Sequence, residues 1–304
     1  MAGDPEWTLR SGAWRCTVSP FGASLRRLWL EPKGGAARDV LWGYSGTDAK
    51  KGGQGDVLMP WPGRVRDGRY AFAGKGHDLP KNDKEGPNAI HGFLRSRAWM
   101  GEQEAATARL RTRIRADDHP GYPFDLDVAV GYELLPSGLA CAFVVRNVGA
   151  GPAPFGAGFH PYVAAPGGAD AAVLGCPAGE VVEFDGLLPT GKVLPVPAGL
   201  DFRAARPVGG ARLNHCLGKL RRDGDGFARV QVGDVEVWMD PSFPYVVLYT
   251  GDTLGADARK AVAVEPMTCA TDALNHPEWG LCVLQPGEAF AGTWGVGLAS
   301  AKAA

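Results

Sequence analysis

The segment Thr107-Ala-Arg-Leu-Arg-Thr-Arg-Ile-Arg115 alternates without a break. Leu110, Thr112 and Ile114 occupy one parity, and Arg109, Arg111, Arg113 and Arg115 the other. A period of two is the signature of a strand with one face buried and one solvated. The same reading extends outward. Leu126-Asp-Val-Ala-Val-Gly-Tyr-Glu-Leu-Leu135 and Leu139-Ala-Cys-Ala-Phe-Val-Val-Arg146 flank a Pro136-Ser-Gly138 turn and form a hairpin. Short apolar segments recur at 19–30, 39–43, 68–74, 226–232, 235–239, 245–250, 261–265, 281–284 and 289–296. The chain holds 44 Gly and 24 Pro, which separate these segments as turns and form no low-complexity run. Pro60 and Pro62 remove ladder donors, so 59–66 is no central strand. The loops at 50–56 and 80–88 are polar. No segment carries an amphipathic helix of three turns, and there is no repeat and no linker-like break. The expectation is an all-β chain, one domain over 1–304, with large antiparallel sheets packed face to face as a β-sandwich.

Charge and cysteine usage exclude several functions. The formal net charge is -1, which gives no electrostatic case for nucleic acid or an anionic membrane as partner. The arginine row at 109–115 has no interleaved aromatics, and it reads as the solvated face of an antiparallel sheet. The six cysteines are scattered with no CxxC spacing, so no zinc site is indicated and reduced thiols are the natural reading. No apolar h-region opens the chain, and no apolar run approaches the ~18 residues of a membrane span. A cytoplasmic location is expected. Nothing in the sequence assigns an oligomeric state.

Chemistry-bearing residues gather on turns and strand ends. Phe155-Gly-Ala-Gly-Phe-His-Pro-Tyr-Val163 presents one imidazole, His160, after small residues that allow close approach. Read alone, the stretch is a strand end with a half-buried, hydrogen-bonded histidine. Arg64 and Arg66 follow a Pro-rich turn, and His91 follows Asn88 and precedes Gly92. Asp240 ends the apolar run Val237-Trp-Met239 on a carboxylate, where aspartate commonly forms a turn. Glu265 ends Val262-Ala-Val264 in the same way, but glutamate is a poor turn former.

Five elements in register resemble the aldose 1-epimerase (mutarotase) family. They are Arg64 in Gly63-Arg-Val-x-x-Gly-Arg-Tyr70, Asn88-x-x-His91-Gly92, Gly158-Phe-His160-Pro-Tyr162, Asp240 ahead of Tyr245-Val-Val-Leu-Tyr-Thr-Gly251, and Val264-Glu265-Pro266. Gly22-Ala-Ser-Leu and Leu284-x-Pro-Gly-Glu288 with Trp294-Gly295 extend the likeness to nearly the whole chain. One departure is Gly63-Arg64-Val65, where galactose-type members commonly read Asn-Arg-Ile, and it bears on substrate identity.

The resemblance implies a galactose mutarotase-like supersandwich and an isomerase acting on a small-molecule sugar without a cofactor. By the resemblance, Glu265 is the base and His160 the acid. His91 then lies near the ring oxygen or a neighbouring hydroxyl, and Arg64 and Asp240 hold hydroxyls. Phe93 and Trp279 are candidates to pack on a sugar face. Interconverting anomers requires a base at the anomeric hydroxyl and an acid at the ring oxygen, which a desolvated Glu and a His supply. An epimerase for hexose 6-phosphates would need a basic cluster, which Arg64, Arg66, Arg95 and Arg97 could form. A non-catalytic sugar-binding protein on the same scaffold would need no acid–base pair. His160, His91, Asp240 and Glu265 are types that suit zinc or manganese, yet they form no local ligand pair, so no metal is expected.

Overall fold

The computed structural model describes residues 5–299. The strand Thr107–Ile114 pairs antiparallel with Leu126–Leu135, from Thr107 opposite Glu133 to Ile114 opposite Leu126. Ala108, Leu110 and Ile114 are buried and Arg109, Arg111 and Arg113 exposed, as the alternation dictates. Arg113 lies 3.7 Å from Asp125 and 3.6 Å from Asp127, so the outward guanidiniums face acidic partners across a solvated surface. Leu126–Leu135 turns directly into Gly138–Asn147, with Leu135 opposite Gly138. These strands belong to a nine-stranded sheet that continues through Ala289–Leu298, Val235–Met239 and Ala228–Val232.

A second, twelve-stranded sheet opens on Trp7–Ser11, Trp14–Ser19 and Ser24–Leu30. At its centre, Tyr162–Ala164, Ala261–Met267, Tyr245–Tyr249 and Asn214–Gly218 lie side by side. The two sheets share one apolar core. Phe159 of the larger sheet packs against Phe143 and Trp294 of the smaller at ring distances of 5.9 and 5.2 Å. The Tyr132 hydroxyl crosses between the sheets to donate to the Ala23 carbonyl at 2.8 Å. Each aromatic ring buried this way removes a large apolar area from water, which is the main favourable term for folding. Helical structure among the described residues is confined to three-residue 3₁₀ turns. Among the described residues, no helix is long and apolar enough to cross a membrane.

Two sequence expectations change. Residue 265 does not end its strand: Ala261–Met267 runs on through Pro266 and is buried along all seven residues. Glu265 therefore stands mid-strand, opposite Val247. Several strands also lie outside the apolar segments read from sequence, including Glu180–Asp185 with the edge strand Leu188–Pro195. That edge strand is exposed along most of its length, so no buried face imposes an alternating pattern on it.

Candidate functional site

Glu265 projects from the most buried strand of the larger sheet, and only 4% of its surface is exposed. Burial pushes its carboxyl up to about 8, opposed by the positive charge of Arg64. His160 stands between the short strands Gly158–Phe159 and Tyr162–Ala164, with Pro161 behind it. Its backbone is fixed twice: His160 N donates to the Asp56 carbonyl, and Gly55 N donates to the His160 carbonyl. Its imidazole stacks on the Tyr162 ring at 4.9 Å and 11°. His160 Nε2 stands 3.3 Å from Glu265 Oε1. Burial, with Arg95 and then Lys50 adding repulsion, pushes the imidazole down to about 3. Burial thus favours the uncharged form of each group, a protonated carboxyl beside a neutral imidazole.

The small residues before His160 have a packing reason. A side chain at Gly156 would stand 2.4 Å from Cys269 Sγ, and one at Gly158 would stand 2.8 Å from Pro62. They admit neighbouring chain rather than a ligand, which revises the sequence reading of this segment.

His91 reaches the same place from the turn after Ala89–Ile90. Its ring centroid is 5.6 Å from that of His160. Its backbone φ is 63°, a left-handed conformation that few non-glycine residues adopt. Gly92 follows because a Cβ there would stand 1.9 Å from the Met59 carbonyl oxygen. Gly63 N donates to His91 Nδ1 at 3.2 Å. Burial, then the charges of Arg95, His160 and Arg64, hold the ring far below its ordinary titration range. His91 is thus neutral, and with Nδ1 accepting, its proton sits on Nε2 as a donor.

Arg64 is held as a fixed fork. Its Nε donates to Asp83 at 2.7 Å and its Nη2 to Glu85 at 2.6 Å. Asp83 is itself nearly buried and also accepts from Asn88 Nδ2, which explains the asparagine of the Asn88-x-x-His91 motif. Nη1 of Arg64 makes no hydrogen bond to the described residues.

Asp240 is not brought to this group. It follows Val235–Met239 in the smaller sheet, where its carboxylate accepts from Ser242 N, Ser242 Oγ and Thr293 N. All of these bonds shape the turn, the alternative that the sequence left open. Phe93 lies flat on His119 at 3.7 Å, and Trp279 lies on His276 at 4.1 Å while packing in an apolar cluster with Val247 and Met267. Trp279 therefore neighbours the strands that carry Glu265, and the face of Phe93 is already covered.

Sequence reasoning passed over Asp83, Lys50 and Asp56, and took Arg95 only as a possible member of a phosphate-binding cluster. Asp56 is fully buried, 2.9 Å from Lys50 Nζ and 3.5 Å from Arg95 Nη1. Both aspartates lie in polar loops, and no local pattern distinguishes them from solvated residues. The four arginines that could have formed a phosphate cradle each meet a carboxylate. Arg64 meets Asp83 and Glu85, and Arg95 meets Asp56. Arg66 lies 4.0 Å from Asp272, and Arg97 lies 3.7 Å from Asp118. Among the described residues, no three His, Cys, Asp or Glu side chains converge as metal ligands.

Comparison with known proteins agrees with this architecture. The chain is 27% identical to galactose mutarotase of Rattus norvegicus, over 94% of this chain and 91% of that protein. It is also 27% identical to the uncharacterized protein YihR of Escherichia coli K12, over 88% of this chain and 85% of that one. A GalM/aldose epimerase homologue from C. elegans superposes with a TM-score of 0.85 at 21% identity, covering 98% of this chain and all of the other. The sequence model of aldose 1-epimerase matches residues 5–295, and the chain belongs to the aldose 1-epimerase family.

Proposed function

We propose that this chain is an isomerase that interconverts the α and β anomers of a free aldose. The observation that carries this reading is the buried Glu265–His160 pair, with Nε2 3.3 Å from Oε1. Ring opening moves a proton off the anomeric hydroxyl and another onto the ring oxygen. Moving the proton from Glu265 to His160 across their 3.3 Å contact gives carboxylate and imidazolium; from that form Glu265 accepts the first and His160 delivers the second. That leaves carboxyl and neutral imidazole, the arrangement burial favours. The open-chain aldehyde rotates about C1–C2, and ring closure on the other face runs the same two transfers backwards. The net proton count of the pair is unchanged over the cycle, as an isomerisation requires. The Nε2–H of His91 and the uncommitted Nη1 of Arg64 are donors for sugar hydroxyls. Asp240 is left out of this set because its carboxylate is committed to its own turn.

A neutral sugar is favoured over a phosphorylated one. A phosphate seeks uncompensated guanidiniums, and here Arg64, Arg66, Arg95 and Arg97 each face a carboxylate. A binding protein without catalysis has no use for a buried pair poised around one proton. The test is polarimetry on fresh α-anomers of galactose, glucose, arabinose, xylose, fucose and glucose 6-phosphate, with wild type and Glu265→Gln, with and without EDTA. The expected result is accelerated equilibration of at least one neutral sugar, insensitive to EDTA and lost in the variant. Preference for glucose 6-phosphate, or no acceleration of any sugar, would overturn the reading.

A further inference from the structure

The loop 50–56 packs against both His160 and Tyr162: a Cβ added at Gly52 would stand 2.6 Å from the Tyr162 hydroxyl oxygen. A Cβ added at Gly53 would stand 2.3 Å from His160 Cδ2 and 2.8 Å from Nε2. The backbone of Gly53 thus lies directly against the imidazole, which also stacks on the Tyr162 ring. The loop is itself tied shut. Gln54 N donates to the Lys51 carbonyl, Lys51 N donates to Gln54 Oε1, and Gln54 Nε2 donates to the Trp42 carbonyl. Its two ends are joined by Lys50 Nζ on the Asp56 carboxylate, and Arg95 reaches that carboxylate from the next turn. The Asp56 carboxylate is completely buried, so no solvent satisfies it in place of the two cations.

We propose that the loop 50–56 is a positioning clamp for His160, in which Gly53 sets where the imidazole stands and the Lys50–Asp56–Arg95 cluster sets the charge around it. Its consequence for turnover rests on the acid–base reading above. None of these residues needs to touch the sugar. The charged and titratable groups around the ring are Glu265 from its strand, His91 from the opposite turn with Arg64 beyond it, Tyr162 from the neighbouring strand, Arg95 from Leu94–Ser96, and Lys50 and Asp56 from the loop. Arg95 and Lys50 disfavour the imidazolium. Burial raises the Asp56 carboxyl, while Lys50 and Arg95 hold it down; in its ionised form it offsets one of these two positive charges.

The sign of each substitution follows. Arg95→Met removes a positive charge, so both limbs of the pH–rate profile move to higher pH, by about half a unit or more. Asp56→Asn removes the compensating negative charge and moves them to lower pH. Gly53 lies outside the left-handed region, so Gly53→Ala strains no backbone and acts only by pushing the ring. A displacement of this kind lowers kcat by roughly 10- to 100-fold with little change in KM.

The experiment measures kcat, KM and pH profiles for the three variants. It also follows the His160 ring through a pH titration in long-range ¹H–¹⁵N spectra, which need no turnover. Opposite shifts for Arg95→Met and Asp56→Asn, with a kcat loss in Gly53→Ala at unmoved limbs, are expected. Shifts of the same sign, unmoved limbs in both charge variants, or wild-type kcat in Gly53→Ala would overturn the clamp. If Asp56→Asn does not fold, Lys50→Met takes its place and is expected to shift in the direction of Arg95→Met. If the wild type turns over no sugar, the catalytic reading fails while the imidazole titration still tests the clamp.

Discussion

Asp240 and Glu265 look alike in the sequence. Each follows an apolar run of a strand, and each is followed by proline. Their surroundings make them opposites. Asp240 sits at the mouth of a turn with two backbone N–H groups and one hydroxyl aimed at its oxygens. Glu265 sits inside a buried strand, opposite Val247, with His160 as its polar neighbour and Arg64 acting on it through charge. A carboxylate whose acceptors are filled by its own turn is a structural group. One left short of donors in an apolar setting binds its proton tightly and can exchange it.

The largest expected effect falls on the buried acid–base pair. Removing one partner of an acid–base pair costs ~10²–10⁴-fold in rate. Glu265→Gln and His160→Gln should each lose that much kcat while remaining folded by circular dichroism. Near-normal turnover in either would erase the distinction between the two carboxylates.

The same contrast has a pH signature in stability. The Glu265 carboxyl is raised from about 4.5 unfolded to about 8 folded, so the native state binds its proton more tightly. The stability contribution of the protonated form is whole below about 4.5 and drains away as pH rises through 8. Glu265→Gln removes a group that must stay protonated against solvent. It should raise stability at pH 8 by up to about 4 kcal/mol, with a gain of about 1 kcal/mol at pH 5. Urea denaturation at the two pH values checks this. A gain that does not grow with pH would mean that the carboxyl is not raised.

How much of this contrast was legible in the sequence differs between fold and site. The alternation at 107–115 and the hairpin after it expose a half-buried sheet directly, because period two survives wherever one face meets water. The edge strand Leu188–Pro195 does not, since nearly every position there faces solvent. His160 and Glu265 were recognisable as residues of a pair, but their 3.3 Å approach joins positions 105 apart in the chain. Asp83 meets Arg64 across 19 residues, and Asp56 meets Arg95 across 39. No local spacing rule reaches that far, and such ion pairs become visible only when the loops are folded.

A middle-sized effect is expected where a carboxylate serves a cation rather than the substrate. Asp83 orients Arg64 through Nε. Asp83→Asn weakens that charge-assisted bond and loosens the fork. KM should rise about 5- to 20-fold with kcat within about threefold, an interaction loss of roughly 1–2 kcal/mol. A fall in kcat at constant KM would instead place Arg64 in the chemical step.

The smallest effect on activity is expected at Asp240. In Asp240→Asn, one side-chain oxygen can still accept from Ser242, but the new amide N–H₂ then faces the Thr293 N–H, donor against donor. One bond is lost and a backbone donor is left unmatched, a cost of about 1–2 kcal/mol. Arg222 fixes the same turn through the Met239 and Phe243 carbonyls, so the turn should loosen rather than unravel. The expected outcome is a melting temperature lower by a few degrees, with kcat and KM for the best sugar within about twofold of wild type. Thermal denaturation alongside initial-rate polarimetry reads both quantities on one preparation. If KM instead rises tenfold or more while the melting temperature holds, Asp240 serves the sugar directly. Its turn would then have to open toward the site when substrate binds.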